Sequence, residues 1–302
     1  MIIWLASYPR SGNTLLRTVF KQTMGLGSYS DENMLPSVGH TELSKKSYGN
    51  LEYEGSWDSF YNHASMSKDI FLVKTHLPPR DNQPVISVVR DGRSATQSYA
   101  AYHKDYIKTS KDPSTILELM IGDDYYGDWT SHFSSWNYRP EGSTLLVRFE
   151  ELVNPKSILL QKLGRFVNFN EEIMPFNNPI EMLNLENPNF FRSGITEWGG
   201  GEWSDKLKYF FIALHGDLLI QLGYLSIAER EYAVNKLHPV ECKLMKLANK
   251  GFVERNVMCC DAQAKEKVIQ HLLQEKKETT LNNKPSENFL SHVFSLNRNR
   301  KR

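Results

Sequence analysis

Short apolar runs alternate along this chain with stretches whose apolar residues recur every three or four positions. The runs Ile2–Ala6, Ile70–Lys74, Val85–Val89 and Leu145–Phe149 are rich in β-branched residues and bounded by turn formers, which predicts four strands. Helical periods begin at Thr14, run from about Gly92 to Lys108, from Lys156 to Val167, and from Asp205 to Leu222, where Gly223 stops the last. Strand followed by helix, repeated, predicts an α/β fold: a parallel sheet with flanking helices. Between Gly25 and about residue 65 the chain is polar and dotted with aromatics, and reads as a long loop carrying short helices. Residues 170–203 are rich in Asn, Pro and Gly and read as irregular. From Ile227 to about Lys277 charged and apolar residues alternate in helical fashion, and Glu278 to Arg302 is polar with a basic end. The expected organisation is a domain over 1–224, a C-terminal helical appendage over 225–277 and a disordered basic tail over 278–302.

Composition narrows the picture. Of 302 residues 40% are hydrophobic, enough for a substantial core. With 36 basic and 35 acidic residues the net charge is +1, which gives no global attraction to nucleic acid or to an anionic membrane, so any anion site must be local. Cys242, Cys259 and Cys260 form neither a paired framework nor a zinc spacing, and His238 with Cys242 lacks a second ligand pair. A reducing, cytoplasmic setting is the expectation: the first strand begins at residue 2, leaving no room for a leader, and no later run approaches the length of a membrane span.

The candidate chemistry begins between the first strand and its helix. Ser7-Tyr-Pro-Arg-Ser-Gly-Asn-Thr14 nearly spells a phosphate-binding loop, G-x-x-x-x-G-K-[ST], but Asn13 stands where the lysine belongs and Ser7 where the first glycine belongs. The strand-loop-helix setting suits phosphate, while the missing lysine argues against an ordinary nucleotide triphosphatase; a corner with no ligand stays open at this point. Lys74-Thr-His-Leu-Pro78 closes the second predicted strand, at the carboxyl edge where open α/β sheets bind ligands. Two apart on an extended chain, Lys74 and His76 point the same way, a base beside a cation. Arg90 closes the next strand and Ser98 lies in the following helix, so both can approach an anion near that helix's start; pairing of Arg90 with Asp91 is the alternative. Arg192, Ser193 and Gly194 sit in a glycine-rich loop where a guanidinium and backbone N–H groups can wrap a phosphate.

Taken in order, SYPRSGNT, KTHLP, VVRDGRSATQS, LLVRFEEL and FFRSG resemble the sulfotransferase family that uses 3'-phosphoadenosine 5'-phosphosulfate (PAPS). The resemblance covers about residues 2–224 and ends on Leu222-Gly-Tyr224. It implies a P-loop NTPase-like sulfotransferase fold and in-line transfer of a sulfuryl group to an acceptor hydroxyl or amine, with adenosine 3',5'-bisphosphate (PAP) as product and no metal. By the same resemblance Arg10 and the backbone of Ser11, Gly12, Asn13 and Thr14 hold the 5'-phosphosulfate. Arg90, Ser98 and Arg192, with the backbone of Ser193 and Gly194, hold the 3'-phosphate; no γ-phosphate calls for a Walker lysine. His76 is the implied general base, and Lys74 and Arg10 stabilise charge on the sulfuryl group and leaving oxygen.

The chain departs from the family pattern at several positions. Leu15 replaces a tryptophan that faces adenine, Arg10 a lysine, Phe149 a tyrosine and Ser193 a lysine, and the dimerisation motif of cytosolic members is not evident, which leaves the oligomeric state open. The expected acceptor is a small molecule, carbohydrate or lipid headgroup, not nucleic acid. Aromatics in 28–65, Tyr125–Trp129 and Trp198–Trp203 serve equally as its pocket or as core. A P-loop kinase and a non-catalytic nucleotide-binding module are the competing readings, and Glu150 is the competing base.

Overall fold

The structure is a computed structural model that describes residues 1–31, 41–106, 116–138, 142–191, 198 and 203–249. Five strands, β1 (Ile2–Ser7), β2 (Tyr29–Ser30), β3 (Phe71–Thr75), β4 (Val85–Val89) and β5 (Thr144–Arg148), form one sheet in the order β2-β3-β1-β4-β5. Every pairing is parallel, with Leu5 opposite Lys74 on one side of β1 and Ile86 on the other. The chain leaves β1 toward β2 and β3, then crosses back to lay β4 and β5 on the far side. That reversal opens a crevice at the carboxyl end of β1, where doubly wound sheets place their ligands.

Alternation along β1 sets the two core layers. Ile3 and Leu5 face α1 (Asn13–Met24) and α8 (Ser157–Phe166), where Leu16, Val19, Phe20, Leu160 and Leu163 complete one cluster. Ile2, Trp4 and Ala6 face α3 (Trp57–Met66) and α6 (Trp129–Asn137), packing with Trp57, Phe60 and Trp136. All six β1 residues are buried, so this strand is covered on both faces, as parallel sheets require. Around it run α2 (Glu42–Ser47), α4 (Gly92–Tyr106), α5 (Ile116–Met120), α7 (Phe149–Val153), α9 (Ile180–Glu186), α10 (Asp205–Gln221), α11 (Ile227–Asn235) and α12 (Pro239–Ala248).

The four expected strands form, each within one or two residues of its predicted ends, and the long helix after β4 is described as far as Tyr106, its expected end at Lys108 lying outside the described residues. Several elements depart from the reading, the short helices α5 and α7 among them. The stretch before residue 65 contributes β2, whose two residues are too few to show a period. Helix α6 forms where no helix was expected: its Ser- and Thr-rich sequence has weak propensity, but Asp128 caps it by accepting from Ser131 N at 2.9 Å, and Trp129, His132, Phe133 and Trp136 bury one face. Helix α9 interrupts the segment read as irregular. Helices α11 and α12 lie within the range read as an appendage and pack against α10. The expected tail over 278–302 lies outside the described residues, as do Cys259 and Cys260. No described helix is long and apolar enough to cross a membrane.

Candidate active site

The loop after β1 closes on itself where Ser11 N donates to Tyr8 O at 3.2 Å, and then enters α1 without a side-chain cap. Arg10 takes φ 64° and Gly12 φ 105°, both left-handed, turning the chain sharply from strand into helix. For Arg10 this conformation costs on the order of 1–2 kcal/mol, strain of the kind found at ligand sites. Gly12 is required on two counts, because a Cβ there would also lie 2.6 Å from the Phe149 ring. No side chain caps α1, so its first N–H groups and the positive end of its dipole face the crevice. Ser11 Oγ, on a residue only 1% exposed, has no hydrogen-bond partner among the described residues. An uncapped helix start beside an orphaned buried hydroxyl fits an oxyanion.

Asn13, in the position of the Walker lysine, has a structural task. Its Nδ2 donates to Leu5 O at 2.7 Å and reaches Ser7 Oγ at 3.3 Å, tying the first turn of α1 to the end of β1. A lysine there would lose that buried bond. Thr14 and Leu15 complete the first turn, partly buried; Thr14 O accepts from Thr18 Oγ1 at 2.9 Å, and Leu15 packs against the α1 core rather than offering a flat platform.

Ser7 connects the loop to the next strand end. His76 Nδ1 lies 2.6 Å from Ser7 O, and since a carbonyl only accepts, Nδ1 carries the proton and Nε2 of the neutral ring keeps its lone pair. Burial above all, then the Lys74 charge, pushes His76 well below the ordinary histidine value, so the ring is neutral at working pH. Lys74 is 8% exposed on the same strand, and its amine is lowered to about 7 chiefly by burial and then by the Arg17 charge, with Asp31 opposing. Arg17, one turn into α1, is itself buried and spans Ser28 Oγ (2.6 Å), Ser28 O (3.1 Å) and Asn50 Oδ1 (2.9 Å). The strand end is held from below as well: Asp31 accepts from Thr75 Oγ1, which accepts from Leu77 N at 3.0 Å.

A second group of cations gathers on the β4 side. Arg10 Nε donates to Ser98 Oγ at 3.3 Å, its Nη2 donates to Phe190 O, and its guanidinium stacks over Tyr102 and Phe190 at 5.4 and 4.7 Å. Arg90 donates to Arg10 O at 3.2 Å and lies 4.3 Å from the centre of the Phe149 ring. The alternative pairing of Arg90 with Asp91 does not form the bridge: Asp91 is bound at 2.6 Å by Arg93, which also donates to Tyr224 O. Arg10, Arg90 and Ser98 therefore meet within one cluster beside the loop. Arg192, Ser193 and Gly194 lie outside the described residues, while Phe190 and Phe191, which lead into them, are buried against Tyr102 and Tyr106.

Glu150 sits elsewhere. It follows β5, three strand spacings from β3, or roughly 14 Å across the sheet. Its Oε2 accepts from Tyr224 OH at 2.9 Å, and burial raises it above the ordinary carboxylate value. Of the aromatics read as either pocket or core, Trp57, Phe60, Trp129 and Trp203 are buried core residues, Tyr125 is exposed, and Tyr126, also buried, meets the His76 ring edge-on at 5.6 Å. Among the described residues no group of three His, Cys, Asp or Glu side chains is arranged to hold a metal ion.

With this geometry in view, residues 2–196 match the family model for the sulfotransferase domain. The chain belongs to the sulfotransferase family. The fold of this sulfotransferase is similar to that of the crystal structure of mouse sulfotransferase SULT7A1 complexed with PAP, at 19% identity over 77% of this chain and 88% of that one, with a TM-score of 0.51. Retinol dehydratase in complex with androsterone and inactive cofactor PAP aligns at 16% identity over 72% of this chain and 80% of its own, TM-score 0.46. Retinol dehydratase in a complex with retinol and PAP aligns at 15% identity over 72% and 81%, TM-score 0.46. No curated protein matches the sulfotransferase in sequence.

Three residues of the site were not singled out from sequence: Arg17, Asp31 and His132. Only His132 left a local signal, standing four residues before Trp136 on one helical face.

Proposed function

We propose that this sulfotransferase moves the sulfuryl group of PAPS to an acceptor hydroxyl or amine, with His76 as general base. The carrying observation is the tautomer of His76: Nδ1–H is committed to Ser7 O, so the opposite nitrogen is the acceptor, at the carboxyl edge of the sheet beside the uncapped loop. As the acceptor oxygen or nitrogen attacks sulfur, its proton passes to His76 Nε2. The new bond to sulfur forms while the bond from sulfur to the bridging oxygen breaks, and that electron pair leaves on the 5'-phosphate of PAP. Lys74 and Arg10 stabilise the charge that develops on the sulfuryl and bridging oxygens. The backbone of Ser11, Gly12, Asn13 and Thr14 receives the 5'-phosphate at the start of α1, as anions are received at helix N-termini.

Arg90 and Ser98, with Arg192, Ser193 and Gly194, are assigned to the 3'-phosphate, and Leu15 to the edge of the adenine. The meeting of Arg10, Arg90 and Ser98 supports a site for more than one phosphate. The acceptor belongs to the small molecules, carbohydrates or lipid headgroups, reached past Tyr126. Calorimetric titration with PAP and AMP tests the donor assignment: PAP binds far more tightly, and Arg90→Ala removes the difference. Equal affinity of the unmodified protein for PAP and AMP would overturn the 3' site.

A further inference from the structure

Helix α6 holds the backbone on which His76 stands. Two of its side chains, one turn apart, donate to consecutive carbonyls just past β3: His132 Nε2 to His76 O at 3.1 Å, and Trp136 Nε1 to Leu77 O at 2.8 Å. These carbonyls lie beyond the last residue of β3, where the ladder ends and sheet partners no longer fix the chain. Both donors are buried, His132 at 2% and Trp136 at 1% exposure, and the His132 ring meets Tyr8 of the loop edge-on at 5.9 Å. Burial lowers His132 to about 3, which keeps it neutral, and its Nε2 must carry the proton because the carbonyl only accepts.

From this we infer that His132 is a positioning residue for the base. It clamps the main chain of His76 so that the ring, pinned at its other end to Ser7 O, presents Nε2 at a fixed place above the loop. Two restraints act on one residue from opposite sides: the phosphate loop holds the ring and α6 holds the backbone. Loss of the second lets the ring swing on the first, and a displacement near 1 Å at a reacting group costs about 10²-fold in rate. A histidine suits the task better than a lysine or arginine, because it supplies a neutral donor and adds no charge next to Lys74 and His76. The inference rests on the sulfuryl-transfer reading for its kinetic consequence, but not for the geometry of His76.

The test compares His132→Leu, which removes the donor, with His132→Gln, whose amide N–H reaches the same position, and with Trp136→Phe as a variant that keeps the aromatic core. For each, kcat with PAPS, PAP affinity by calorimetry and ¹⁵N NMR of the His76 ring are measured on the full chain. In His132→Leu, kcat falls about 10- to 100-fold while PAP affinity stays within about 2-fold, and the single Nδ1–H tautomer of His76 gives way to a mixture. His132→Gln restores most of kcat, and Trp136→Phe shows the same pattern more weakly, which also decides the matter should His132→Leu fail to fold. A His132→Leu or Trp136→Phe protein with a lowered melting temperature but unchanged kcat and an unchanged His76 spectrum would overturn the clamp. An unmodified protein that transfers no sulfuryl group, yet whose His76 spectrum shifts in His132→Leu, would support the clamp and overturn the transfer reading instead.

Discussion

Replacing Lys74 by methionine is expected to stabilise the protein while abolishing its chemistry. Lys74 is buried in the sheet with Arg17 and Arg10 as its cationic neighbours and Asp31 as a partial counterweight, so its amine titrates near 7 in the fold against 10.5 in an ordinary chain. Below pH 7 folded and unfolded chains both carry the proton, and the full cost of burying the charge is present. Between about 7 and 10.5 the unfolded chain binds a proton that the folded one has lost, so this group's contribution to stability rises with pH. From pH 6 to pH 9 the rise is about 2–3 kcal/mol at about 1.4 kcal/mol per pH unit, and methionine, uncharged and similar in length, has no such slope. Guanidinium unfolding of both proteins at pH 6 and pH 9 gives a double difference in which the other titrating groups cancel. The advantage of Lys74→Met is larger at pH 6 by that amount. An equal advantage at both pH values would refute a depressed, desolvated Lys74 and the reasoning that the site holds a cation at the expense of stability.

Two further outcomes follow from the same cluster. At pH 8 the free protein carries a proton on about a tenth of its Lys74 side chains, so PAP, by drawing Lys74 back to its charged form, takes up as much as about 0.9 proton on binding; calorimetry in buffers of different ionisation enthalpy measures this, and Lys74→Met loses it. Gly12→Ala meets both the left-handed backbone and the Phe149 ring, and lowers stability by about 2–4 kcal/mol with a loss of PAP affinity, read by denaturant unfolding and calorimetry.

The parts of this molecule that were legible in its sequence are those governed by local periodicity. β1, β3, β4 and β5 announce themselves by apolar runs between turn residues, and their alternation with helices implies the parallel sheet. The loop from Ser7 to Thr14 and the Lys74–His76 pair were visible because the strand end brings chemistry to one edge. What stayed hidden depends on partners far apart in the chain. Asn13 looked like a missing lysine until Leu5 O supplied its reason. Arg90 has Asp91 beside it in sequence, but Arg93 holds that carboxylate, and Arg90 turns to Arg10 O, 80 positions away. Helix α6, built on Ser and Thr, carries no strong local preference and is stabilised by its cap and by the buried face it lays on the sheet, so the clamp it provides was out of reach. The aromatic stretches could be told apart only once the fold gave them neighbours: Trp57 and Trp129 pack in the core, Tyr125 is exposed, and Tyr126, as buried as Trp57, stands beside His76.

The most direct test of the central claim is sulfuryl transfer itself, followed with ³⁵S-labelled PAPS against a panel of hydroxyl and amine acceptors, for the unmodified protein, His76→Ala and Glu150→Gln, each with PAP affinity measured alongside. Label transfer is expected from the unmodified protein and from Glu150→Gln. In His76→Ala the expected loss is about 10²–10⁴-fold, with PAP affinity nearly unchanged. Near-normal turnover by His76→Ala together with a dead Glu150→Gln would contradict that claim.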